Sequence, residues 1–388
     1  MENRYKTLSL CILSAMVGYF GWGGNTTALL LLPAIVVIWS RCATRWAAFL
    51  ALFFYYAAAS RGILNGSSLF FAETALFRGI WLGIMLWLCS STILAATWAI
   101  CWGHRFKAIR LLVILIALSC PPIGIIGWAN PLTSAGIYFP GLGWYGLMAL
   151  VVLFLVLVAS PRPTFILPFA LVAITFNVLH TRAEAIPGWT AINTKLGGGQ
   201  RDTDEFHRLQ SLQSIVSKES NSRDRGEIIV LPELVGGDWS VNAMWWEDAE
   251  KALQKKDQTV LLGIHRPMAG ASYSNSLISI GAISGRELED RVPVPISMWK
   301  PWAEDGAVAH WWLSGTTQIK NKKVAHIICY EQILMWPILI SAANSPDLLI
   351  APSNIWWAKQ TSVAEIQRQA MTSWGLLFDI PVLFAVNS

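Results

Sequence analysis

Seven apolar stretches recur in the first 180 residues, at roughly 7–22, 26–40, 46–60, 79–103, 109–128, 142–160 and 164–180, with short connections between them. A bilayer core about 30 Å thick is crossed by about 20 apolar residues in a helix, which satisfies its backbone N–H and C=O groups internally. Residues 1–182 are therefore predicted to form a polytopic transmembrane helical bundle of about seven spans, 26–40 and 46–60 being the shortest. The first stretch does not read as a secretory signal, because no small-residue cleavage site precedes a soluble domain and further apolar spans follow. Hydrophobic residues make up 54% of the chain and charged ones 14%, and the charge is concentrated after about residue 180. A second domain of different character is expected over 183–388.

Lys and Arg in the connections set an orientation. Arg4, Lys6, Arg41, Arg45, Arg105, Lys107, Arg110 and Arg162 fall on one side, against Arg61 and Arg78 on the other. With the amino terminus in the cytoplasm, an odd number of spans places the second domain outside the inner membrane, in the periplasm of a two-membrane bacterium. The net charge of +5 is then a topology signal and calls for no nucleic-acid partner.

From about 186 short apolar strands alternate with amphipathic helical stretches, the pattern of a layered α/β domain. Strands are expected at 190–193, 227–232, 258–264, 275–281, 323–329, 347–351 and 381–386, and helices at 204–219, 244–255 and 361–377. Gly197-Gly198-Gly199 lacks the spacing and following Lys of a phosphate loop and reads as a turn. Twelve of the 21 tryptophans lie after residue 185, many in expected loops, which suits a surface resting at the lipid headgroups as well as ordinary packing.

Two strands end in reactive groups. Ile228-Ile229-Val230-Leu231 leads into Pro232-Glu233, and Val324 to Ile328 leads into Cys329-Tyr330-Glu331. A carboxylate that takes the proton of a thiol makes it a nucleophile. Taken singly, a glutamate after proline caps a helix and a buried cysteine is inert core. Cys11, Cys42, Cys89, Cys101 and Cys120 lie in or beside the apolar stretches, so no disulfide framework is implied and Cys329 is unpaired. His207, His265, His310 and His326 show no metal-ligand spacing, and His326, in the nucleophile strand, reads as core.

At these residues the chain resembles the nitrilase superfamily, and within it the membrane-bound apolipoprotein N-acyltransferases. Ile328-Cys329-Tyr330-Glu331 is similar to that family's nucleophile motif and Leu231-Pro232-Glu233 to its general-base motif. Ala351-Pro352-Ser353-Asn354 with Trp356-Trp357, and Pro381 to Ser388 with Asn387, are similar to its later strands. The resemblance implies an α-β-β-α sandwich and a Glu-Lys-Cys triad: Cys329 attacks a carbonyl, Glu233 carries its proton, and a lysine supports the oxyanion. It departs at the lysine. Register on Val294-Pro295-Ile296-Ser297-Met298-Trp299 puts Asp290 at that position, and Met298 stands for a glutamate of the acyltransferases. Arg291 or Lys300 is then the expected cation, with Glu331 orienting the site and Tyr330, Asn354, Trp299 and Trp357 contacting substrate. The acyltransferases continue past the Asn-ended strand, whereas the sequence here stops at Ser388, a layout that resembles the TraB-type proteins of plasmid conjugal transfer.

The expectation is an inner-membrane cysteine-dependent acyltransferase or amidase without metal or cofactor. Membrane lipid would be the acyl donor and an envelope or pilus protein the acceptor. The alternatives are a catalytically inactive assembly factor of the conjugation machinery and a peptide amidase or cyclase.

Overall fold

The computed structural model describes residues 2–70, 76–159, 162–181, 183–197, 202–222, 226–358 and 361–388. They form two compact units. One comprises Met1–Ala183 with Ile333–Trp336 and Gln360–Asp379, the other Glu184–Gln332, Pro337–Lys359 and Ile380–Ser388.

The first unit is helical: α1 (Glu2–Gly21), α2 (Pro33–Arg41), α3 (Arg45–Ala59), α4 (Gly62–Phe70), α5 (Leu76–Ile100), α6 (Lys107–Ser119), α7 (Ala135–Tyr138), α8 (Gly143–Ala159) and α9 (Pro163–Leu179). Each apolar stretch is thus largely helical, yet the expectation of about seven spans is corrected. Among the described residues one helix, Gly79–Ile100, is long and apolar enough to cross a membrane. A second counts if Pro131–Tyr138 and Gly143–Ala159, bent by 120°, form one broken span. Helix breakers explain the difference. Pro33 starts α2 afresh after the 3-10 turn Thr26–Leu31, and α6 stops at Ser119 just before Pro121-Pro122, since proline lacks the N–H a continuing helix needs. The 15 residues of α3 rise only about 22 Å.

The second unit contributes β1 (Trp189–Ala191), α10 (Asp202–Ser220), β2 (Ile228–Val230), α11 (Trp239–Asn242), α12 (Glu247–Gln254), β3 (Thr259–Pro267), β4 (Tyr273–Gly281), β5 (Glu287–Glu289), β6 (Thr316–Ile319), β7 (Lys322–His326), α13 (Met335–Ala343, which begins in the first unit's segment), β8 (Leu348–Asn354) and β9 (Val382–Asn387). One sheet has the order β1-β2-β3-β4-β5, the other β6-β7-β8-β9. The helix expected at 361–377 is α14 (Val363–Phe378) and belongs to the first unit. There the Gln369 side chain donates to the carbonyls of Gly21 and Asn25, Gly21 being the last residue of α1, where carbonyls lack intrahelical partners.

Period-2 alternation explains the layers. Ile228, Val230 and Leu261 face a core shared with Val324, Leu348, Ile350 and Ala385 of the other sheet and with Ile328 just past β7. The intervening Ile229, Val260 and Leu262 pack on Leu209, Leu212 and Val216 of α10 and Leu253 of α12. Burying both faces requires the continuous apolar runs that mark these strands in the sequence. The edge strands β5 and β6, with sequences ELE and TTQI, carry no such run. Of the expected glycine turn, Gly198 and Gly199 lie outside the described residues.

Candidate active site

The strand expected at 323–329 ends at His326. Ile327 N–H still reaches the Ile350 carbonyl at 2.9 Å, but Ile328 N–H turns to Glu331 Oε2 at 3.0 Å. Cys329 then adopts φ +44° and opens the 3-10 turn Cys329–Ile333. A side chain in the left-handed region costs about 1 kcal/mol or more, so the turn must be held from outside. Glu331 and Arg291 hold it. Glu331 is fully buried and accepts from Arg291 N–H at 2.9 Å, Nε at 3.0 Å and Nη2 at 3.1 Å.

Arg291 is also fully buried, and Nη2 donates to the His326 carbonyl at 3.0 Å, Nη1 to the Pro337 carbonyl at 2.9 Å and the Ser341 hydroxyl at 2.8 Å. All five guanidinium N–H groups therefore have protein acceptors. The sequence expectation that Arg291 offers its charge to an oxyanion gives way to a clamp on the Cys329 turn. Lys300, the other expected cation, pairs at the surface with Asp305 at 3.0 Å.

Glu233 follows β2 and is brought inward by close packing against Gly263 of β3, where any Cβ would strike the backbone of Pro232 to Leu234. Its carboxylate is buried, hydrogen-bonds the Cys329 thiol, and accepts from Asn275 Nδ2 at 2.8 Å and Asn354 N–H at 3.0 Å. The Asn354 N–H also points to the Cys329 sulfur. Burial raises the Glu233 pKa above the usual carboxylate range, against the lowering effect of the thiol, Asn275 and Asn354. Burial, followed by the Glu233 charge, pushes the Cys329 thiol well up. The resting pair is thus a protonated thiol beside a carboxyl group, and a thiolate forms only as its proton moves to Glu233.

Antiparallel register delivers the next group. Ser276 pairs with Glu289, so Asp290 falls opposite Asn275, donating its N–H to the Asn275 carbonyl at 2.8 Å. Asn275 Nδ2 bridges Glu233 Oε1 and Asp290 Oδ2, the latter at 3.0 Å. Burial, then the charges of Glu331 and Glu233, raise the Asp290 carboxyl well above its ordinary range. Asp290 is therefore a buried acid beside Asn275. Among the described residues no Lys or Arg pairs with either Glu233 or Asp290. The sequence gives no sign of the part played by Asn275, since its meaning comes only from the strand opposite.

Asn354, expected at the substrate, contributes its backbone N–H, while its side chain accepts from Asn387 Nδ2 at 2.8 Å. Asn387 Oδ1 accepts from Thr194 Oγ1 and Leu196 N–H, each at 2.8 Å, and its Nδ2 also reaches the Gly197 carbonyl at 3.1 Å. Tyr330 is buried, and burial raises its phenol pKa well up. Trp299 packs edge-on against Trp311 with ring centres 5.0 Å apart, on the turn where Ile296 has φ +72°. Trp357 sits half-buried in the 3-10 turn Trp356–Ala358 after β8. His326 hydrogen-bonds the Glu289 carbonyl through Nε2 at 2.9 Å. Among the described residues no group of three or more His, Cys, Asp or Glu is placed to hold a metal ion.

A probable conjugal transfer protein TraB of Sinorhizobium fredii is 34% identical over 389 residues, covering 98% of this chain and 97% of its own. The conjugal transfer protein TraB of Agrobacterium fabrum is 32% identical, covering 100% and 94%. The chain belongs to the TraB family of conjugal transfer proteins. No protein-family model matches it. Among solved structures, an amidase from Nesterenkonia sp. is similar with a TM-score of 0.37 and 13% identity over 51% of this TraB-family chain and 74% of the amidase. A carbon-nitrogen hydrolase from Helicobacter pylori G27 gives 0.37 and 14% over 50% and 72%.

Proposed function

We propose that this TraB-family chain is a membrane-tethered acyltransferase or amidase of conjugal transfer that works through Cys329. The observation that carries the reading is the hydrogen bond between the Cys329 thiol and the Glu233 carboxyl at a strained, clamped turn. The sulfur bonds to a substrate carbonyl carbon while its proton passes to Glu233. The tetrahedral intermediate collapses with cleavage of the C–N or C–O bond, Glu233 returns the proton to the departing amine or alcohol, and a thioester remains. An incoming amine displaces the thiol to form an amide, or water hydrolyses it.

The helical unit is assigned to the inner membrane and the second unit to its periplasmic side. The apolar helix Gly79–Ile100, long enough to cross a bilayer, supports the membrane assignment. Membrane lipid serves as acyl donor and an envelope or pilus protein as acceptor.

A second reading is favoured by one observation. Asp290 is a buried acid and Arg291 is wholly engaged, which suits an assembly factor that keeps the fold without turnover. Conjugation frequency in a Cys329→Ala strain with wild-type protein levels separates the two: loss supports chemistry, and full transfer supports scaffolding. Mass spectrometry of Cys329 then tests for a hydroxylamine-sensitive adduct. A bare thiol under all donor conditions, together with full transfer by the variant, ends the catalytic reading.

A further inference from the structure

Within the helical unit, α1 and α3 cross closely at Gly18, where any Cβ would strike the Tyr55 carbonyl. Beside the crossing an apolar groove of about 420 Å³ opens, lined by Leu8, Met16, Tyr19 and Phe20 of α1 and by Phe54 and Ala58 of α3. From Leu8 to Phe20 it runs along twelve residues, or about 18 Å at 1.5 Å per residue. That is close to half of a bilayer core about 30 Å thick.

A charge stands at one end. The Arg61 guanidinium lies 4.2 Å above the Tyr19 ring, and its Nη1 donates to the carbonyls of Ala58 at 3.0 Å and Trp22 at 3.3 Å. Among the described residues Nε and Nη2 have no protein acceptor. The guanidinium is therefore held at the groove mouth by two carbonyls and a ring, with a two-nitrogen edge that has no acceptor among the described residues. That edge matches a phosphate, which guanidinium binds through two parallel hydrogen bonds. Apolar length on one side and a fixed cation on the other describe a single amphiphile.

We propose that the α1–α3 groove and Arg61 form a binding site for one glycerophospholipid, with an acyl chain along Leu8 to Phe20 and the phosphate on Arg61. The inference rests on the helical unit lying in a membrane. It differs from bulk lipid cover in having a fixed headgroup contact and one chain-sized groove.

The test uses the full-length chain, purified in detergent, stripped of lipid, supplied with palmitoyl-oleoyl phosphatidylglycerol and read by native mass spectrometry. The wild type retains one lipid. Arg61→Gln lowers retained lipid about tenfold, since it removes a charge-assisted hydrogen bond to the phosphate. Ala58→Leu, which fills the groove, lowers it comparably. Ile116→Ala, on the exposed face of α6, leaves it unchanged. Wild-type retention by both groove variants, or an equal fall in all three, overturns the site. A diazirine on the acyl chain provides a second readout on the unaltered protein, and the expected label lies on 8–20 and 54–58 in excess over α6. Label on α6 but not on the groove refutes the site alone, whereas no label on any helix refutes the membrane placement itself.

Discussion

Arg291→Lys separates a clamp from a catalytic cation. Lysine keeps the positive charge but offers three donors from one nitrogen, so it cannot reach Glu331, His326, Pro337 and Ser341 together. Glu331 is fully buried and Arg291 is its ion-pair partner. Lysine keeps the pair but leaves buried acceptors of the guanidinium without a donor, at about 1–3 kcal/mol each, so about 3–5 kcal/mol is lost in all. For a unit of this size about 2–4 °C is lost per kcal/mol, which gives a fall of roughly 10 °C in the transition that reports the second unit. Arg291→Met breaks the pair itself and is expected to cost about 3–5 kcal/mol, because the buried Glu331 charge is left uncompensated. The pair Arg291→Met with Glu331→Gln regains about 2 kcal/mol or more, since no unpaired carboxylate is left. The assay is thermal unfolding of the full chain in detergent, followed by the accessibility of Cys329 to alkylation. A shift below about 2 °C for Arg291→Lys with unchanged Cys329 labelling refutes the clamp, and strictly additive losses in the double variant refute the pairing.

Glu233→Gln moves two readouts in opposite directions. Removing the charge that, after burial, most raises the Cys329 thiol increases its alkylation by iodoacetamide at pH 8, while thioester formation falls about 10²–10⁴-fold for want of a base. Slower alkylation would show that the carboxylate does not face the sulfur. His326 is held down to about 3 by burial, then by Arg291. Its folded value lies below the unfolded one of about 6.5, so stability is full above that pH and is lost as pH falls toward 3. Between pH 7.5 and 5 the wild type loses about 2 kcal/mol more than His326→Gln, read from paired melts. An identical pH response in both proteins contradicts a neutral buried imidazole. Asn387→Leu leaves the Asn354 side-chain oxygen, Thr194 hydroxyl and Leu196 N–H without their partner and costs about 2–4 kcal/mol, about 1–3 for the buried Thr194 hydroxyl and less for the two half-buried groups. A loss under about 1 kcal/mol in urea unfolding would mean that water replaces those bonds.

Much of the second unit was legible because its inner strands are buried on two faces, and such strands must be written as apolar runs. Runs at 227–232, 258–264 and 347–351 therefore predicted β2, β3 and β8 to within a few residues. The edge strands β5 and β6 and the helix α13 escaped notice, the strands because one-sided burial of three or four residues leaves no run to see. In the helical unit the composition was read correctly as apolar, but composition does not count turns. Pro33 and Pro121-Pro122 decided where helices stop, and so which of them reach bilayer length.

By itself the sequence determined that Glu233 and Cys329 each follow an apolar strand-like run closely and that Asp290 and Arg291 stand next to each other. Strand order and chemical type are properties of neighbours along the chain, and neighbours are what a sequence records. Only the tertiary structure decided that the cation beside the site belongs to Glu331, that Asn275 joins the two acids, and that α14 packs with the first unit. Those outcomes depend on register between strands far apart in the chain, and on burial, which makes a charge seek whichever partner lies within about 3 Å.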